Sequence, residues 1–194
     1  IAANHPTTTD PFVLMGLIEE PMSILITDSC FKLPLLGSFL RGAGHVPVVP
    51  THGRAALQGG LRLLLAGHTV GIFPEGALSP LDGGVCPPHT GVARLALGAG
   101  VPVVPVGISP RRENIRRGEV RGGDVSEHAR WYYAVTMGEP MVFAGDVEDR
   151  AYVRAVSERI MQRIDQLARE SARRLSEART PTRRWFPRPG AARA

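Results

Sequence analysis

VPVVPTHGRAALQGGLRLLLAGHTVGIF, residues 46–73, decides the fold class. The stretch opens on a short β-branched run at 46–49 and closes on another at 69–73. Between them, residues 53–66 carry Leu57, Leu61, Leu64 and Leu65 on one side of a helical repeat. Strand, helix and strand in succession form the crossover unit that parallel sheets require. Outward from this unit, 23–27 (SILIT), the apolar run 101–108 and residues 131–137 read as further strands, and 90–99 reads as a second helix. The expected fold is α/β, with a mixed, partly parallel central sheet flanked by helices. Pro102 and Pro105 each lack a ladder donor, so the 101–108 run reads as an edge strand or a bent one.

Toward the end of the chain, Val153, Val156, Ile160, Ile164 and Leu167 recur every three or four residues with Arg and Glu between them. This predicts a long C-terminal helix from 148 to about 179. Residues 111–130 read as a polar insertion between the last two strands. The organisation expected is an α/β domain over 1–147, a helix over 148–180 packing on it, and a basic tail over 181–194. The chain opens at Ile1, which leaves open whether an anchor or a further piece of the domain precedes it.

With 194 residues, 43% hydrophobic and 21% charged, the chain is long enough for a full core and too apolar for a disordered polypeptide. No uncharged apolar run approaches the roughly 20 residues of a membrane span. Two cysteines, Cys30 and Cys86, exclude a disulfide scaffold, and no metal-type spacing accompanies them. A reducing cytoplasm follows as the expected compartment. The net charge of +5 is uneven: residues 1–110 hold five basic and six acidic groups, residues 111–194 eighteen and twelve. A basic half favours an anionic membrane surface or an acidic carrier protein. No nucleic-acid motif accompanies it, so nucleic-acid binding is not expected.

Three segments carry candidate chemistry. In Asn4-His5-Pro6-Thr7-Thr8-Thr9-Asp10, four residues separate a His from an Asp. A neutral imidazole takes a proton from a hydroxyl when a carboxylate holds its other nitrogen, and a turn at Pro6 would bring Asp10 back onto His5. The competing reading makes Asp10 a helix N-cap with Pro11 at the first helical position, opening a helix through residue 20. Ile72-Phe73-Pro74-Glu75-Gly76-Ala77-Leu78-Ser79-Pro80 follows a predicted strand, where a carboxylate and a glycine suit a binding loop. The third segment is Val101-Pro102-Val103-Val104-Pro105-Val106, silent by itself.

In this order and spacing, the segments resemble the glycerolipid acyltransferase family, the 1-acylglycerol-3-phosphate acyltransferases among them. N-H-x-x-x-x-D is matched at Asn4, His5 and Asp10, F-P-E-G-x-x-S at Phe73, Pro74, Glu75, Gly76 and Ser79, and the V-P-x-x-P-V strand at Val101 to Val106. Gly91, Ala93, Leu95 and Ala96 fit the helix after the third motif, and Lys32 with Pro34 resembles the segment after the first. The resemblance implies an O-acyltransferase. His5 would be general base on an acceptor hydroxyl, Asp10 its orienter, and acyl-CoA or acyl carrier protein the donor, with no metal and no other cofactor. Asn4, Glu75, Gly76 and Ser79 would lie on the substrate side.

Two departures bear on the acceptor. The family's second motif normally ends in an Arg where this chain has Pro50, and its third carries Arg where this chain has Leu78. Arginine's planar fork is hard to replace at a phosphate site. The expected acceptor is therefore an alcohol without a phosphomonoester, a lipid or a specialised metabolite. Lysophosphatidate acylation in phospholipid synthesis and a non-catalytic, peripheral membrane-binding relative are the alternatives. Arg41, Arg54 and Arg94 are the cations that could compensate. A carrier-protein surface would centre on Arg111, Arg112, Arg116 and Arg117, and a membrane contact at the inner face on the tail with Trp185 and Phe186. His45 and His52 flank the second motif; neither they nor His68, His89 and His128 show metal spacing. H-H-x-x-x-D, the motif of condensation domains, has one residue fewer between His and Asp and is set aside.

Overall fold

The computed structural model describes residues 1–50, 52–80, 84–114 and 129–178. In chain order the elements are β1 (Ala2–Ala3), α1 (Asp10–Leu17), β2 (Met22–Thr27), α2 (Asp28–Phe31), α3 (Leu36–Gly42), β3 (Val46–Val48), α4 (Gly53–Leu65), β4 (Thr69–Gly71), α5 (Gly91–Ala99), β5 (Pro105–Asn114), β6 (Ala129–Met137) and α6 (Arg150–Glu177). The opening β-α-β unit is present as β3, α4 and β4.

Hydrogen bonding gives two three-stranded ladders, β3-β2-β4 and β1-β5-β6. They join through Ile72, which continues β4 and bridges Ala2 in parallel. Its N–H donates to Ile1 O at 2.9 Å and its carbonyl accepts from Ala3 N at 3.1 Å. The continuous order is thus β3-β2-β4-β1-β5-β6, parallel throughout except for the antiparallel β5–β6 hairpin. The sheet is mixed and mostly parallel, as expected.

Alternation along β1 shows how the sheet is covered. Ala2 packs into a cluster with Val92, Ala93 and Ala96 of α5 and Val153, Val156, Ile160 and Ile164 of α6. Ala3 enters a separate cluster with Leu14 of α1, Met22, Ile24, Val106 and Ile108. Adjacent strand residues point to opposite faces, so helices cover both sides. All five apolar positions read from the α6 repeat are buried, each contributing roughly 1.5–3 kcal/mol relative to exposure. Asp149 caps α6, accepting from the N–H groups of Ala151 and Tyr152. Against β5 the helix backbone itself makes contact: a Cβ on Gly107 would lie 2.1 Å from Ala168 N. Ser171 Oγ seals that contact by donating to Gly107 O at 2.9 Å, with Thr136 Oγ1 at 2.8 Å from it.

Four boundaries differ from the sequence reading. The run at 101–108 is no edge strand: the ladder starts at Pro105, and β5 lies between β1 and β6. Pro102 precedes the ladder, and Pro105 opens it, where its missing N–H is tolerated. Hairpin pairing carries β5 to Asn114 and β6 back to Ala129, so the ends of the supposed 111–130 insertion are strand. The helix after Asp10 stops at Leu17, short of residue 20, and its N-cap is Thr9, with Asp10 the first helical residue. The third predicted strand, 69–73, stops its regular ladder at Gly71. Among the described residues no helix is long and apolar enough to cross a membrane.

Candidate active site

The strand order itself selects a location. From β1 the chain crosses through α1 to β2, on the far side of β4; from β4 it crosses through α5 to β5, on the far side of β1. Two neighbouring strands whose connections leave in opposite directions open a crevice at their carboxyl ends, where open α/β sheets bind ligands. His5 follows β1 there, and Phe73 to Ser79 follow β4.

The His5–Asp10 pair is formed. Nδ1 of His5 lies 2.9 Å from Oδ2 of Asp10. Asp10 is wholly buried, while the His5 side chain keeps 20% of its exposure. The Asp10 carboxylate also accepts from Thr7 N at 2.7 Å and Thr7 Oγ1 at 2.6 Å. An ionised carboxylate only accepts, so the neutral imidazole tautomer that fits this contact carries its proton on Nδ1 and has its free lone pair on Nε2. The phenyl ring of Phe73 stacks on the imidazole, centroids 4.2 Å apart and planes 22° from parallel. Asp10 is not the N-cap but the first residue of α1, and from that turn its carboxylate meets the His5 ring.

The remaining predicted site residues hold His5 from its main-chain side. Glu75 is 3% exposed. Its Oε1 accepts from His5 N at 2.9 Å and from Ser79 Oγ at 2.6 Å, and its Oε2 accepts from Cys86 N at 2.7 Å. Ser79 Oγ also accepts from His5 N at 3.0 Å, and Ser79 N donates to His5 O at 2.8 Å. Both carboxylate oxygens and the hydroxyl are thereby committed to fixing the loop against residue 5. Gly76 has φ +66, and a Cβ there would meet His89 Cδ2 at 2.7 Å, so this turn requires glycine. Asn4, 3% exposed, gives both ends of its amide to Ile108: Nδ2 donates to its carbonyl at 2.8 Å and Oδ1 accepts from its N–H at 2.7 Å. It staples the end of β1 to β5 one residue before His5, so the structure gives this predicted substrate-side residue a backbone-bracing place.

Of the other described histidines, His89 lies against Gly76 and its main-chain N–H donates to Pro74 O at 2.8 Å. Pro50 and Leu78, standing where the family's arginines would, are both exposed. Arg41 Nη1 donates to Phe31 O at 2.8 Å and Arg94 Nη1 to Val147 O at 3.2 Å, so both brace loops, while Arg54 is exposed in the first turn of α4. Lys32 pairs with Asp28 at 2.6 Å. Arg111 donates to Leu175 O at 2.8 Å and lies over the Tyr132 ring, joining β5 to the end of α6. Arg116, Arg117, His128 and the tail with Trp185 and Phe186 fall outside the described residues. His45 does not line the crevice: it is buried, and its Nδ1 accepts from Ile24 N at 3.0 Å. Burial holds its pKa below the usual histidine value. Cys86 is a neighbour that the sequence did not signal. Burial, the Glu75 charge and a hydrogen bond to Glu75 push its thiol up. Among the described residues no cluster of His, Cys, Asp and Glu could hold a metal ion.

The family profile described as Acyltransferase matches residues 1–109. No curated protein matches the chain. The crystal structure of the 1-acyl-sn-glycerophosphate (LPA) acyltransferase PlsC from Thermotoga maritima is similar, with TM-score 0.57 and 25% identity over 84% of this chain. The match spans 64% of that protein's length.

Proposed function

The chain belongs to the acyltransferase family, and on that premise we propose that it is an O-acyltransferase with His5 as general base and Asp10 as its orienter. The observation that carries the reading is the 2.9 Å contact between His5 Nδ1 and a buried Asp10 at the crevice between β4 and β1. The acceptor hydroxyl gives its proton to Nε2 as its oxygen attacks the thioester carbonyl of acyl-CoA or an acylated carrier protein. The tetrahedral intermediate expels the thiolate, which takes the proton back from Nε2. No acyl-enzyme forms. A base so placed contributes about 10²–10⁴-fold in rate. The N–H groups of Gly76 and Ser79 are already engaged, by Phe73 O and His5 O. Those of Ala77 and Leu78 are therefore the loop's candidates for stabilising the oxyanion.

For the acceptor, an alcohol lacking a phosphomonoester fits Pro50 and Leu78 best, because neither offers a charged fork. A peripheral position at the inner face of a membrane belongs to the same reading, since acyl chains partition into bilayers. The similarity to PlsC favours a second reading, lysophosphatidate as acceptor in phospholipid synthesis. The test is mass spectrometry of products from a panel of acyl-CoA and acyl-carrier donors with phosphate-free alcohols and lysophosphatidate. Product from the alcohols alone supports the first acceptor, and product from lysophosphatidate alone replaces it with the second. His5→Ala should abolish turnover with circular dichroism unchanged; undiminished product would remove His5 as the base.

A further inference from the structure

The Asp10–His5 pair is the inner end of a longer chain of hydroxyls. Thr7 Oγ1, which donates to Asp10 Oδ1, lies 3.0 Å from Thr9 Oγ1 and 3.1 Å from the phenolic oxygen of Tyr133. That phenol is 2.6 Å from Thr9 Oγ1. Tyr133 comes from β6, where it pairs with Pro110, and its ring packs on the apolar cluster that holds Ala3, Leu14 and Ile24. The last strand of the sheet therefore reaches back to the turn that carries the relay.

Counting protons gives this contact a direction. A hydroxyl has one proton and two lone pairs. The Thr7 proton goes to Asp10, so any hydrogen bond that Thr7 makes with Thr9 or Tyr133 runs toward Thr7. Donation passes inward to the carboxylate, and successive bonds of one polarity strengthen each other. We infer that Tyr133 is a positioning residue for acyl transfer: its phenol clamps Thr7 and Thr9, and through Thr7 it holds the Asp10 carboxylate against Nδ1 of His5. The inference rests on the acyl-transfer reading and adds to it a residue from outside the 1–109 segment that carries the family match.

Tyr133→Phe deletes the phenol and leaves the ring in its cluster. Loss of one neutral hydrogen bond to the positioned group should lower kcat about 3- to 10-fold. The KM values for donor and acceptor should stay within about twofold. Thr7→Val should show the same defect, Tyr133→Phe should add little in that background, and Thr7→Ser should recover most of the loss. The Nδ1–H proton signal of the His5 ring reports the same coupling without turnover: the hydrogen-bonded signal of the wild type moves upfield in Tyr133→Phe as its bond to Asp10 weakens. Wild-type kcat and wild-type ring signals in Tyr133→Phe overturn the inference, and so do fully additive losses with Thr7→Val. A wild-type chain that transfers no acyl group from any donor removes the function proposed above; the ring signals then still decide whether Tyr133 holds the pair.

Discussion

Glu75→Gln separates a scaffolding carboxylate from one that faces substrate. Glutamine keeps the shape but has a single acceptor oxygen and an amide that only donates. With its amide toward Cys86 N, two donors face each other across what is a 2.7 Å bond in the wild type. With its amide toward His5 N and Ser79 Oγ, the serine can turn and accept, and His5 N keeps Ser79 Oγ at 3.0 Å as an alternative acceptor. The second orientation costs less, and it is the one that sets an amide nitrogen against the His5 N–H. One hydrogen bond to a charged group is lost, about 1.5–3 kcal/mol. For a chain of this size that lowers the thermal midpoint by about 3–12 °C. Thermal unfolding followed by far-UV circular dichroism reads the stability, and steady-state kinetics read the base: kcat should fall because residue 5 shifts, with both KM values held. An unchanged midpoint together with a raised acceptor KM would show that the carboxylate meets the acceptor, and would refute the scaffolding argument.

Asp10→Asn should keep the His5 tautomer, because the amide can turn toward Thr7 Oγ1, which rotates to accept, and leave its oxygen on Nδ1. The charge is lost and the Thr7 hydrogen bond reversed, and kcat should drop about 10- to 100-fold, measured with the best donor and acceptor pair. Gly107→Ala puts a carbon 2.1 Å from Ala168 N and Leu167 C, so α6 has to move off β5; a loss of about 3 kcal/mol or more is expected in urea unfolding. His45, held low by burial against an ordinary value of 6.5, is neutral in the fold. Below that ordinary value the unfolded chain binds the proton first, so this contribution is present above it and is lost as pH falls through the lowered value of the folded state. His45→Asn should flatten that part of the dependence, and equal slopes in the two proteins would count against it.

Periodicity made most of the scaffold legible. The α4 and α6 repeats and the β-branched runs at 23–27 and 46–49 depend on local pattern, which tertiary packing then confirmed. What local pattern lacks is long-range pairing. β1 is two alanines, with no β-branched signal, and becomes strand because Ile72 and Pro105 flank it. The short α2 and α3 carry no repeat long enough to announce themselves. At the site, the His5–Asp10 spacing was readable because five residues span one turn. The work of Glu75, Ser79 and Asn4 was not, since each bonds a backbone group at a sequence distance of 70, 74 or 104. Tyr133 lies 126 residues from Thr7, and nothing in its own strand points to it.

These distances separate what holds His5 from the two positions where the chain departs from the family pattern. His5 is fixed twice, by its main chain through Glu75 and Ser79 after β4, and by its ring through Asp10, Thr7 and Phe73. Glu75 and Ser79 are turned onto the backbone of residue 5 and onto each other, Asp10 onto Thr7 and the imidazole, and Phe73 onto the ring face. The positions where the family's arginines are replaced belong to neither frame. Pro50 is exposed after β3, and Leu78 keeps 46% of its surface at the loop tip. Substitution of either side chain touches none of the bonds that hold the imidazole. The hold on the imidazole is thus physically separate from both positions, and a residue other than arginine at each leaves the His5–Asp10 contact whole.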